Sequence, residues 1–452
     1  MNENRSLPGF DRRSFLTGGA VLAGATVFGS RLLVAPLAGA ATPGLATYTP
    51  GTHPQKTVHL AGTDGWVSMP AGAPADLPFF PDSLAPADRN TYVFGFRDVT
   101  GLTPAQVAAQ RGKAQISAPM MAFDEEDDIT ITLTNLGLLV RPDLFDGHTI
   151  HWHGFVNAIP LFDGVPELSL SVPVGRDLSY FYRPHDAGTY MYHCHFEDVE
   201  HVQMGMTGMV FVRPKQNQTN DGVVVVRPEL AAGQPNPWGG TIGATIPPGK
   251  YAYNDFDGST GYDREFAFMI TELWSAAHWR DAHIQVSNWT DYDPSFWLLN
   301  GRGYPDTTAP NGARDASGNL TSADPRLQSQ PNSSLITCNA GDRVLLRMSN
   351  LGYQNHTMSV DNIDLQIVAK DASLLKGRDG ISNYITTNTV GVGPGESRDI
   401  IFVAPNSPGE YFLYDRKYSY LQNGGGPGYG GMMTKILVAA PGTYAPQTVA
   451  NA

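Results

Sequence analysis

The segments VPVGRDLSYFYRPHDAGTYMYHCH (172–195) and VGPGESRDIIFVAPNSPGEYFLYDR (392–416) follow one plan. Each has a glycine turn, a strand of alternating apolar residues, a proline-containing corner, and Gly-x-Tyr leading into another strand. The likeness spreads outward. DEEDDITITLTNLG (124–137) is matched by GDRVLLRMSNLG (341–352), both ending in Asn-Leu-Gly, and GMTGMVFV (205–212) by GMMTKILV (431–438). A repeat with period-2 patterning predicts two copies of one Greek-key β-sandwich, in which each strand buries alternate residues between two sheets. The expected organisation is all-β, with domains at 55–215 and 216–440 and a tail at 441–452.

Length and composition agree. At 452 residues the chain exceeds what one core usually serves. Its 49 Gly and 34 Pro suit short strands joined by turns better than long helices. A net charge of −13 argues against nucleic acid as a partner, since phosphate binding needs a basic surface. Two cysteines, Cys194 and Cys338, cannot staple a chain this long, so Cys194, set among histidines, reads as a reactive or metal-bound thiolate.

Residues 1–40 read as a removable leader. Arg12-Arg13 and Phe15-Leu16 precede an apolar run and Ala38-Gly39-Ala40, the order of charged, apolar and cleavage regions. The paired arginines resemble a twin-arginine export signal. Arg31 interrupts the apolar run well short of the ~20 residues a membrane span needs. The expected product is an extracytoplasmic protein without a membrane span, opening on an N-terminal arm at 41–54.

The two copies differ in their histidines. The first reads His148-Thr-Ile-His151-Trp-His153, and in register the second reads His356-Thr-Met-Ser359-Val-Asp361. Tyr192-His193-Cys194-His195 faces Leu413-Tyr414-Asp415-Arg416. On a strand, residues two apart share a face. His151 with His153, and His193 with His195, therefore supply four imidazoles on one side, while Cys194 and His148 point to the other. His201 and Met206, in EHVQMGM, add an imidazole and a thioether. Two imidazoles, a thiolate and a weak thioether form the blue-copper donor set. Zinc takes the same atoms, but the separation of thiolate from four imidazoles favours copper.

HWHG, DGVP (163–166), GTYMYHCH, the following GMTG and FWLLNGRGYPDT (296–307) resemble the multicopper oxidases, the laccase-like cupredoxin proteins. The resemblance spans nearly all of the chain beyond the leader. It implies a type 1 copper on His148, Cys194, His201 and Met206, an interdomain copper cluster of type 2/type 3 kind on His151, His153, His193 and His195, and Asp163 as a proton carrier. Type 1 ligands in the first domain are similar to two-domain members and to copper nitrite reductases, which implies a homotrimer with copper between subunits.

The family's oxygen-reducing cluster has eight histidines, four from the second domain. Here those positions hold Ser359, Asp361, Tyr414 and Arg416. His356 stands where the nitrite reductases keep a second-domain catalytic histidine, so His356 and Asp163 are the catalytic candidates. The expectation is a copper oxidoreductase with a small-molecule or metal-ion reductant and with O2 or a small anion as acceptor. A nitrite reductase-like enzyme and a non-catalytic electron-transfer protein are the alternatives.

The remaining candidates read as structural. His278 and His283, in SAAHWRDAHIQ (275–285), belong to a solvated connection, His185 to a turn, and His53 and His59 to the arm. Cys338 is a small strand hydrophobe. YLQNGGGPGYGGMM (420–433) reads as a flexible loop, and Glu197, Asp198 and Glu200 as a solvated acidic loop.

Overall fold

The computed structural model describes residues 53–218 and 248–451, except 71, 75–78, 80, 157, 378 and 379. The leader and most of the arm lie outside the described residues. His59, expected in the arm, instead belongs to the first strand, where its Nε2 meets Thr134 Oγ1 at 2.8 Å.

Among the described residues the first half has two four-stranded sheets. One runs β2 (Asn90–Asp98), β1 (Gln55–Ser68), β4 (Asp128–Asn135), β6 (Asp177–Tyr182). The other runs β3 (Met121–Asp124), β8 (Thr207–Arg213), β7 (Gly188–His193), β5 (His151–His153). In β4 the sequence Asp-Ile-Thr-Ile-Thr-Leu-Thr-Asn buries every second residue, which places Ile129, Ile131 and Leu133 in a core with Trp152, Tyr180 and Val210. The β-branched and aromatic content of these strands suits a pleated, half-buried surface.

The second half repeats the plan. Phe296–Leu299, Arg264–Leu273, Arg343–Asn350, Ser397–Val403 and Leu365–Lys370 are consecutive in one sheet. Ile336–Asn339, Met433–Ala439, Gly409–Asp415, His356–Val360 and Thr389–Val392 form the other. A separate core gathers Phe268, Val344, Leu346, Val360 and Ile400. The repeated Asn-Leu-Gly has a physical cause. Asn135 donates to Asp146 O and Val172 O and accepts from the N–H of Gly137. Asn350 donates to Gln354 O and Val392 O and accepts from the N–H of Gly352. Each buried amide thus closes the corner after its strand and is fully partnered, as a buried polar group must be.

The halves meet through a charged seam. Arg347, fully buried, donates to Glu265 (2.8 Å) and Thr189 (3.0 Å), lies 3.4 Å from Asp399, and stacks over Phe211 at 4.9 Å. Thr189 and Phe211 belong to β7 and β8, so the seam reaches the strand that carries His193.

Three segments depart from expectation. Asp198 and Glu200, expected in a solvated acidic loop, lie on a helix, Asp198–Met204, with Glu197 just before it. SAAHWRDA forms a helix, Ser275–Ala282, and His278 is 1% exposed rather than solvated. Its Nδ1 donates to Tyr92 O at 2.6 Å and its Nε2 lies 3.3 Å from Gln203 Nε2, and burial draws its pKa down to about 4. The stretch 420–433 is anchored: Asn423, buried, donates to Tyr304 O and accepts from Gly431 N–H, and Tyr420, Met432 and Met433 are buried. His185 pairs with Glu126 and is half exposed, and Cys338 is buried on its strand.

Candidate metal centres

Cys194 follows the last residue of β7 and is buried within the first core. His148 reaches it from the segment bridged to Val172, and His201 from the helix Asp198–Met204, which ends on the left-handed Gly205. His148 Nδ1 lies 4.0 Å and His201 Nδ1 3.2 Å from Cys194 Sγ, and all three residues are buried. Ligands held ~2.0–2.3 Å from one metal stand roughly 3–4 Å apart, so the donors fit a shared ion. Met206 is fully buried, and its backbone bonds both Cys194 and His201. A Cβ on Gly62 would stand 2.6 Å from His148 Cδ2 and 3.3 Å from the Met206 methyl, so this position on β1 admits nothing larger than glycine.

The electrostatics favour a thiolate. Burial pushes the Cys194 thiol up, but His201 and His148 outweigh it and hold the group well below its usual range. The sulfur also receives the N–H of Thr149 at 3.4 Å. Burial works against a charged His201, and Cys194 with Asp146 overcomes it. Asp146 lies 3.7 Å from His201 Nε2. Thr149 and Asp146 escaped the sequence reading. Thr149, inside the His-x-x-His motif, was the more accessible of the two, since it faces opposite to His148 and its hydroxyl accepts from the N–H of His195.

On the other side of β5 and β7 the four histidines converge. His151 pairs directly with His193 across the two strands. Donor atoms of His151, His153 and His193 lie within 4.8 Å of one another. His195 brings its ring to 5.1 Å from His151 and 5.5 Å from His193. His151 Nδ1 faces Asp163 O at 2.6 Å and His193 Nδ1 faces Cys194 O at 2.9 Å, which directs both Nε2 lone pairs inward. Burial lowers the pKa of His151 and His153 and draws His193 down to about 3, so these rings are neutral, as metal ligation requires. The Asp163 carboxylate is 3.5 Å from His151 Nδ1. From the second half, Gly395 lies against His153: with φ +75°, a Cβ there would stand 3.1 Å from Nε2.

Among the described residues the second half brings no imidazole to this face. Ser359 bonds Asn388 O, Tyr414 donates to Asp361 at 2.9 Å, and Arg416 is exposed. His356, expected as a catalytic group, is closed off. Its Nδ1 meets Asp415 at 2.8 Å and its Nε2 meets Glu272 at 2.5 Å, with 1% of the residue exposed, so neither nitrogen faces a substrate.

Residues 101–217 match one family model described as multicopper oxidase, and residues 264–441 match another so described. The Laccase-1 of Emericella nidulans is 30% identical over 127 residues, 28% of this chain and 19% of that protein. The multicopper oxidase MCE of Talaromyces pinophilus is 34% identical over 105 residues, 23% of this chain and 16% of that protein. These matches span less than a fifth of the length of either relative. The fold is also that of the blue copper oxidase from Nitrosomonas europaea, with TM-score 0.53 and 22% identity over 85% of this chain and 86% of that one. A copper-containing nitrite reductase from Thermus scotoductus SA-01 superposes with TM-score 0.51 and 16% identity, covering 88% and 64%. Both likenesses identify the cupredoxin fold.

Proposed function

The chain belongs to the multicopper oxidase family, and on that premise we propose that it is a copper-dependent oxidoreductase. A type 1 copper would be held by His148, Cys194, His201 and Met206, and a second copper site by His151, His153, His193 and His195. The observation that carries this reading is the back-to-back placement: Cys194 Sγ meets two Nδ1 atoms on one side, and its covalent neighbours His193 and His195 join the quartet on the other. Copper would supply one-electron redox chemistry between a small-molecule or metal-ion reductant and O2 or a small anion.

The protein's own part is to position and protect. Burial keeps water from the thiolate, and the His201 and His148 contacts hold it ionised. Asp163 fixes the tautomer of His151 through its carbonyl, and its carboxylate beside Nδ1 is placed to carry protons to the quartet. Met206→Leu is expected to keep the visible thiolate absorption and raise the reduction potential, because a weak axial ligand tunes it. An unchanged potential in a spectroelectrochemical titration would remove Met206 from the ligand set.

We take the division at 55–215 and 216–440 as two domains, a reading supported by the two separate apolar cores. We propose assembly as a homotrimer; large exposed apolar residues after β5, among them Val156, Ile159, Leu168 and Phe181, offer surface for a subunit contact.

Among the described residues no helix is long and apolar enough to cross a membrane. Export through the twin-arginine pathway is supported by Arg12-Arg13 in residues 1–40. Replacing both with lysine should trap the precursor inside the cell in a fractionation assay, and normal export of that variant would refute the pathway.

A further inference from the structure

The buried triad Glu272–His356–Asp415 stands at the counterpart of the Cys194 pocket. His193 pairs with His151 and Tyr414 pairs with Ser359, so Cys194 and Asp415 each follow the matched strand residue. The N–H of Cys194 donates to Met206 O (3.2 Å), and the N–H of Asp415 to Met432 O (3.0 Å). The N–H of Met206 donates to His201 O (2.9 Å), and the N–H of Met432 to Tyr420 O (3.0 Å). Thr149 N–H points to Cys194 Sγ, and Thr357 N–H to Asp415 Oδ2. The rings of His148 and His201 are 5.2 Å apart, as are those of His356 and Tyr420. Position by position, His148, Cys194, His201 and Met206 answer to His356, Asp415, Tyr420 and Met432.

The second pocket is filled. Gly62 and Ile270 both pair with the Asn of Asn-Leu-Gly, Asn135 and Asn350, so a buried isoleucine stands where the first pocket needs glycine. A carboxylate replaces the thiolate, and His356 bonds carboxylates through both nitrogens. No imidazole lone pair is left for a metal.

The triad is also tied to the helix that carries His201. The Glu272 carboxylate accepts the N–H of Tyr353 (2.7 Å), and the Tyr353 hydroxyl donates to Val199 O on that helix. The Glu272 carbonyl accepts from Gln203 Nε2 (3.1 Å), on the same helix. Gly352 permits this approach, since a Cβ there would fall 2.2 Å from a Glu272 oxygen. We propose that Glu272, His356 and Asp415 are positioning residues for the type 1 site: the triad does in its own pocket the cross-strand bonding that a metal would do in the first, and braces the His201 helix through Glu272 and Tyr353.

This inference rests on the copper reading above, and the test separates the two. In the full-length, copper-loaded protein, His356→Gln and Tyr353→Phe should each shift the type 1 reduction potential and EPR hyperfine splitting at unchanged copper content. The double variant should shift them by less than the sum, because both act along one line of contacts. Ile436→Val, which trims the second core, should lower Tm and leave both signals in place. Variants that lower Tm with wild-type potential and spectrum would overturn the inference. If His356→Gln does not fold, Tyr353→Phe, which removes one hydroxyl, decides by the same readouts. A wild type without the thiolate band would overturn the copper reading and this inference with it.

Discussion

Cys194→Ser is expected to abolish the visible thiolate-to-copper absorption completely while leaving the fold in place. The sulfur is the one thiolate among the donors of its pocket, and a serine hydroxyl is not ionised at neutral pH, so it cannot replace the charge transfer. Burying a hydroxyl without partners would cost about 1–3 kcal/mol. Here the Thr149 N–H stands 3.4 Å and Phe196 O 3.6 Å from the sulfur, so the serine has both a donor and an acceptor within reach. Circular dichroism and denaturation should therefore report a folded, colourless protein. A variant that kept the band would remove Cys194 from the centre.

Arg347→Leu should lower stability by about 3–5 kcal/mol, the cost of leaving buried charges uncompensated. Glu265 and Asp399 are both nearly inaccessible, and Arg347 sits between them. Arg213 still reaches Glu265 at 2.7 Å, and Tyr253 and Thr189 still donate to Asp399, so the loss should not exceed that range. Because Thr189 belongs to β7, the variant should also loosen the strand that ends at His193. Equilibrium denaturation tests this. A loss below about 1 kcal/mol, the scale of an exposed ion pair, would show that the seam is not a charged lock.

Much of this was legible in the sequence because it is local. Alternation in DITITLTN, the doubled Asn-Leu-Gly and the i, i+2 spacing of His151 with His153 each report on strand geometry directly. The fate of His356 was not legible. Its position matched His148, but its chemistry is set by Glu272, 84 residues away on another strand. The burial of His278 is hidden for a related reason: a polar segment looks solvated until Tyr92 O and Gln203 supply its hydrogen bonds from distant segments. In 420–433 the glycines suggested mobility, while one buried asparagine, Asn423, pins the segment at both ends.

We propose that, among the described residues, the first half alone carries the metal ligands. It is tested most directly by copper analysis of the purified, copper-loaded protein together with its EPR spectrum. Seven imidazole and thiolate donors divide into the Cys194 pocket and the histidine quartet, while Ser359, Asp361, Tyr414 and Arg416 occupy the places a full oxygen-reducing cluster would need. The expected result is two or three coppers per chain, one of them with the narrow hyperfine splitting of a thiolate-bound type 1 site. Four coppers per chain, with the strong absorption of a hydroxide-bridged pair, would contradict it.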